Sequence, residues 1–442
     1  MKFTIEKCWC ATALIFAITK FVYFSTPRMP RFRSIASISA HLPLFPSACS
    51  FSIHLPQDLQ GATITNEQIQ VNNVSTKQTA TFTSRADIKL LTGLYDISYD
   101  ADASLPGDTT VHHIKAFSPS VEVSAANQAI TFDTFEAETN DDFIISEIFF
   151  TGTLRSTGNQ YYGDDYVKIY NNTDHVLYAD GLALVESKFT TTQKFNYRPN
   201  IMDTAMTVQA IYVIPGSGKE HPVQPGESMI LADTGIDHRV ANPNSFDLSN
   251  ADFEWYDVST VPAHMDIDSP TVPNLDKWYC YTLSFFVLHN RGFRAYGLVR
   301  FPIDKDTYLN NYRYTYNYEI IVPAGTFPMS QTAYYVPNKW IVDAVNCSVE
   351  AKYAWNVTSP KLDRGWTFCG TMDHDKTRYF HAVRRKMLYL KDGHPFLKDT
   401  NNSSEDFNGY VVPSEIERQG TAIDINGNKC TQHTWDGVTP IK

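Results

Sequence analysis

Residues 143–184 constrain the fold of this chain most strongly. They read FIISEIFFTG, a polar loop, DDYVKIYNNTD and then LYADGLAL. Ile144, Ile148 and Phe150 fall on one face of an extended strand, and Val167 and Ile169 repeat the same two-residue period. Asn171, Asn172, Thr173 and Asp174 supply turn chemistry, because Asn and Asp tolerate positive φ and bond their own backbone. Asp180 and Gly181 make a second turn. A strand, a loop, a strand, a tight turn and a short strand form the framework of a β domain. The stretch holds no nucleophile, no His pair and no phosphate loop, so it speaks to fold and not to chemistry.

With 442 residues the chain is long enough for two or three domains. Aromatic residues make up 13% of it, including 25 Tyr and 27 Phe, and flat rings favour pleated surfaces. Segments with helical period are scarce. The formal charge of −11, with no basic stripe, excludes the electrostatics a nucleic-acid partner requires.

The first 49 residues read as a leader. Residues 8–19, CWCATALIFAIT, follow Lys2 and Lys7, are too short to span a bilayer and match the apolar region of a signal peptide. A second start at Met29 places Arg31 and Arg33 before Ser47-Ala48-Cys49. Small residues before a Cys resemble a bacterial lipobox, with Pro46 where a Leu-like residue is usual. Cys49 is therefore the expected lipid anchor of an exported, outer-membrane-attached lipoprotein. The plainer alternative is an ordinary Cys after a degenerate signal.

Residues 50–138 alternate apolar and polar side chains in FSIHLP, ATITNEQIQVNNV, TATFTS, YDISYDA and VEVSA. The run from Gly61, with Gly93-Leu94-Tyr95 before the next alternating segment, resembles the carboxypeptidase-regulatory, transthyretin-type sandwich. That resemblance implies an Ig-like spacer without chemistry of its own. Residues 137–142, AETNDD, form an acidic junction.

Beyond the junction, Ile145-Ser146-Glu147-Ile148, residues 165–171 (DYVKIYN) and residues 179–182 (ADGL) resemble the opening of bacterial lamin-tail-like domains, which run I-N-E-I, E-F-V-E-L-Y-N and D-L-S-G-W. HPVQPGESMILAD (221–233), KWIVDAVN, AVRRK and DTNNSSEDF (399–407) resemble later elements of that domain. Lys168 departs from the usual acid and Leu182 from the usual Trp. As a whole, the chain resembles an uncharacterised Bacteroidetes envelope family, domain of unknown function 4876. The expectation is an all-β chain: a transthyretin-like sandwich at 50–138, then a larger lamin-tail-like β-sandwich at 139–410 with an insertion at about 237–326, then a C-terminal extension at 411–442.

The insertion is where this chain is individual. Asn290-Arg291-Gly292 reads as a hairpin turn between apolar runs. Tyr312, Tyr314, Tyr316 and Tyr318 share one face of a strand over roughly 20 Å. They are the candidate ligand-binding residues, as an aromatic platform for sugar rings or a peptide. The alternative is that they pack against a neighbouring sheet.

Chemistry is sparse. HExxH, GxSxG and Walker patterns are absent. Four cysteines beyond residue 49 (Cys280, Cys347, Cys369, Cys430) allow three disulfide connectivities, with Cys347–Cys369 the first pair to test. Asp373-His374-Asp375 and Asp164-Asp165 read as hydrated loops. No cofactor, metal or catalytic set is indicated. The function expected is non-enzymatic binding or scaffolding in the cell envelope, toward a glycan or an envelope protein. The alternative is an accessory hydrolase or metal-dependent enzyme built from His and Asp of the second domain, around His374 or His381.

Overall fold

Two face-covered β-sheets, laid one on the other, explain why the central strands are apolar on both sides. The first sheet runs in the order Phe253–Glu254, Ser228–Ala232, Tyr166–Tyr170, Ile144–Phe149, Ala382–Arg385, Phe407–Val411. The second runs Arg313–Val322, Gly325–Pro337, Ala205–Val213, Leu182–Ser187, Ala295–Arg300, Ile341–Ser348, Thr367–Phe368, with Asp276–Cys280 also pairing to Ala205–Val213. Between them lies a core of Ile145, Ile148, Val167, Ile169 and Leu231 from one sheet and Leu184, Tyr212, Tyr296, Leu298 and Val345 from the other. The outer face of the second sheet is covered by the helix Lys305–Asn311 and by Trp340, Trp355 and Leu362. The outer face of the first is covered by Phe246, Leu248, Phe380 and Ile416.

This is a computed structural model. It describes residues 47–420 and 433–441, apart from 77, 87, 125–127, 137–140, 263–264 and 283. The leader up to residue 46, most of the acidic junction, the turn at 425–428 and Cys430 lie outside the described residues. Residues 45–442 form one compact unit. Within it, the strands between Ser47 and Glu136 pair only with one another. Ile88–Leu90, Ser47–His54 and Gln128–Asp133 make one sheet, and Thr79–Phe82, Thr63–Asn73, Gly93–Ser104, His112–Val123 and Phe135–Glu136 make another. Phe51, Ile69, Ile97, Tyr99, Ile130 and Phe132 fill the space between these two sheets. The all-β class expected from the alternation is what the structure has. Among the described residues no helix is long and apolar enough to cross a membrane.

The opening strand differs from its simple period in one respect. Lys168 stands opposite Glu147, but Ile169 stands opposite Ile145, so Ser146 is an extra residue in the ladder. The bulge shifts the phase. Ile145 joins Ile148 and Phe150 in the main core, and Ile144 turns to Tyr170 and Leu397 instead. Glu147 is buried, receiving the Tyr166 hydroxyl at 2.6 Å and the Ser414 amide at 2.8 Å. It thereby fastens the C-terminal helix Ser414–Gln419 to this sheet. Lys168 serves the same end, reaching Glu415 at 2.9 Å and the Ser414 hydroxyl at 2.7 Å.

The segment expected to be an insertion is built into the second sheet. Ala295–Arg300 lies between Leu182–Ser187 and Ile341–Ser348. The Asn290-Arg291-Gly292 turn therefore does not join a hairpin: it leads from a non-strand arch, residues 281–294, into a central strand. Gly292 needs its lack of a side chain, since a Cβ would stand 2.7 Å from Phe150 Cζ at a φ of 63°.

Candidate functional site

Glu186 is the only charged side chain in the strand Leu182–Ser187, and Gln209 is the only amide in Ala205–Val213. A β-bulge brings them together. Glu186 pairs with Ala210 and Ser187 with Val208, so Gln209 is the extra residue, and its amide donates to Glu186 at 2.6 Å. Arg294 enters from the start of the next strand, donating to the Lys188 carbonyl at 2.5 Å, with Nε 4.0 Å from the Glu186 carboxylate. The arch 281–294 closes over them. Together with Tyr162 these residues line an open cleft of about 370 Å³, whose apolar wall is Phe285, Val287 and Leu288.

Two polar atoms at the base of the cleft lack partners. Glu186 Oε2 and Arg294 Nε are buried without a hydrogen bond from the chain. Burial raises the Glu186 carboxyl above its ordinary range, against the opposing charge of Arg294 and the Gln209 amide. His289, on the same wall, is held neutral near pKa 3 by burial and by Arg294 and Arg291. At the rim, Tyr281 is 53% exposed and Tyr162 45% exposed. Such a cleft offers ring faces above and unsatisfied donor and acceptor atoms below.

The tyrosine row expected as a platform is not presented to solvent as one. Tyr312 has left the strand and caps the helix Lys305–Asn311, stacking on Tyr308 at 5.4 Å and lying 4.8 Å from Trp340. Tyr314, Tyr316 and Tyr318 do share a face of the strand Arg313–Val322, but the segment 189–197 folds over it. Phe189 lies 5.2 Å from Tyr316 and Phe195 4.9 Å from Tyr318, leaving Tyr316 2% exposed. The rings are packing, against a loop and not against a second sheet.

Cys49 lies in the strand Ser47–His54, opposite Ile88 and Gln128, and is 4% exposed within the core of the N-terminal sandwich. Burial pushes its thiol pKa up. A lipid on that sulfur and this packing exclude each other. Cys49→Ser is accordingly expected to destabilise the protein by about 1–3 kcal/mol, the cost of a hydroxyl in an apolar site, read as a lowered urea midpoint. Fatty-acid label that disappears with the same substitution would reverse the argument.

Cys347 and Cys369 are buried side by side in the main core as thiols, not as the disulfide considered from sequence. His374 is exposed on a loop, and His381 stacks on Tyr410 at 4.0 Å. Neither lines the cleft. Asp375 caps the 3₁₀ turn Lys376–Arg378, and Asp373 pairs with Arg291 at 2.5 Å. Asp164 and Asp165, expected to be hydrated, are both fully buried.

The fold and cleft define an all-β sandwich protein with a small-ligand-sized depression. Residues 224–414 match a family model described as a protein of unknown function (DUF4876). The crystal structure of a DUF4876 family protein from Bacteroides thetaiotaomicron VPI-5482, at 2.50 Å resolution, is similar in fold. It superposes with a TM-score of 0.53 at 19% identity, covering 86% of this chain and 98% of that one. No functionally curated protein matches the chain.

Proposed function

We propose that this is a non-enzymatic binding protein of the cell envelope whose cleft takes a small polyhydroxylated ligand such as a sugar unit of a glycan. The unpartnered Glu186 Oε2 and Arg294 Nε beneath exposed Tyr162 and Tyr281 carry the reading. A sugar hydroxyl is both donor and acceptor, so it satisfies the two atoms at once, and its apolar ring face stacks on tyrosine. Catalysis is the weaker reading. Glycoside hydrolysis uses a pair of carboxyl groups across the bond, and Glu186 is the only acid lining the cleft. The envelope assignment rests on the leader-like residues 8–19.

The test is calorimetric titration of the purified protein with a panel of mono- and oligosaccharides. A ligand is expected whose affinity falls about tenfold or more in Tyr281→Ala and in Glu186→Gln, as loss of a charged hydrogen bond predicts. Binding untouched by both substitutions would place the ligand elsewhere. Release of reducing ends during incubation would favour the hydrolase.

A further inference from the structure

Asp165 and Asp233 face each other across two neighbouring strands. The Asp233 amide donates to the Asp165 carbonyl at 2.8 Å, continuing the ladder between Tyr166–Tyr170 and Ser228–Ala232 by one step. By strand alternation both side chains fall on the side of Val167 and Leu231, toward the interior of the sandwich. Asp165 is 0% exposed and Asp233 5% exposed. Neither Asp165 oxygen accepts a hydrogen bond within the chain, and Asp233 Oδ2 accepts none either. The Gly152 amide near Asp165 and the Trp255 indole near Asp233 fall short of bonding geometry. Among the described residues neither carboxylate forms an ion pair, and the charges acting most strongly on them are further acids, Asp164 and Asp266.

The next residue shows that this is not how the fold treats a structural carboxylate. Asp164, equally buried, is bonded by the Thr153 hydroxyl and by Ser245 at 2.5 Å. A desolvated, unpartnered carboxylate is costly, and the remedies are a proton, a basic partner or a metal ion. A basic partner is absent among the described residues. A pair of carboxylates is an all-oxygen donor set, the kind that hard divalent ions take, and calcium tolerates irregular geometry best.

We propose that Asp165 and Asp233 are the anionic ligands of a buried divalent-cation site, calcium being the ion that fits best. Among the described residues, the group of three potential ligands whose atoms lie within 4.8 Å of one another, Asp180 with Glu220 and His221, is a poorer site. The Asp180 oxygens already accept the amides of Gly218, Glu220 and His221 at 3.1, 2.9 and 2.9 Å.

The experiment is thermal unfolding of chelator-stripped protein with added Ca²⁺, Mg²⁺ or Mn²⁺, alongside elemental analysis of protein purified without chelator. Ca²⁺ at a hundredfold excess over Kd is expected to raise Tm by roughly 5 °C. Asp165→Asn and Asp233→Asn should each abolish the rise, and His221→Ala should retain it. Near-stoichiometric metal in the untreated protein supports the site even where an Asn variant does not fold. No rise with any of the three ions, a rise that survives Asp165→Asn, or a rise lost in His221→Ala each overturns the proposal. A neutral pair sharing a proton predicts the first of these outcomes.

Discussion

Arg385→Met is expected to lower the stability of the protein by about 3–5 kcal/mol, the range found when one partner is taken from a buried ion network. Arg385 is 2% exposed. Its guanidinium donates to Asp343 at 2.7 Å, Asp399 at 3.0 Å and the carbonyls of Ile145 and Lys398 at 2.9 and 3.1 Å. Asp406 stands 3.7 Å away, and the ring of Phe407 lies under the guanidinium at 4.7 Å. These partners belong to both sheets: Ile145 to the first and Asp343 to the second. Removing the cation strands three carboxylates in a dry interior and cuts a tie between the layers. Lys is not expected to rescue, because a point charge cannot reproduce the planar fork that reaches four acceptors. The measurement is the urea midpoint, with Arg364→Ala as reference. Arg364 pairs with Asp58 at the surface, 3.3 Å away, and its loss should cost less than about 1 kcal/mol. A loss below 1 kcal/mol for Arg385→Met would show that the network is redundant.

Arg385 and its neighbour Arg384 show what was legible in the sequence. AVRRK was readable as a closing element of a lamin-tail-like domain. Its physical meaning is two adjacent arginines on opposite faces of one strand: Arg385 joins the sheets, and Arg384 reaches Glu417 at 2.8 Å and lies 3.7 Å from Glu147. Alternation and turn residues sufficed for the all-β class because strand period and turn chemistry are local. Asn171 illustrates this: its side chain bonds the His175 and Val223 carbonyls at 2.8 Å each and receives Thr173, fixing the turn it begins. The bulge at Ser146 was not legible, since it depends on which residue of the partner strand lies opposite. Nor was the burial of Asp164 and Asp165, because a DD pair after Gly163 looks hydrated until the sheet above it is known. The tyrosine row was visible as a row, but its cover is residues 189–197, more than a hundred positions upstream. The cleft left a fainter trace: one Glu in LALVES and one Gln in AMTVQAIYV, the charged residue and the amide of two largely apolar strands. Nothing local connects them with Tyr162 or the arch 281–294.

Stability is expected to fall by about 2–3 kcal/mol as pH rises from 5 to 7.5. Burial pushes the Asp343 carboxyl up to about 7 and that of Asp406 up to about 6; Arg385 opposes both shifts and Asp399 adds to both. The sign follows from linkage. A carboxyl with a folded pKa above its unfolded value binds a proton that the unfolded chain releases, so its stabilisation is present at low pH and lost as pH rises through the folded pKa. One proton held over about two pH units corresponds to the magnitude stated, since three carboxylates around one arginine act as a single coupled group. Glu415 works in the opposite sense. Lys168 and the Arg418 hydrogen bond draw its carboxyl down to about 2 despite burial, so its contribution is lost only as pH falls from about 4 toward 2. The two effects occupy different windows and leave a maximum near pH 4–5. Urea midpoints at pH 5 and 7.5 measure the slope. Asp399→Asn removes one contribution to both shifts, because the amide oxygen still accepts from Arg385 while the charge that adds to the burial effect is gone. That variant should reduce the slope between pH 5 and 7.5 without abolishing it. An unchanged slope would move its origin to other buried acids with raised carboxyls, such as Glu186 and Asp363.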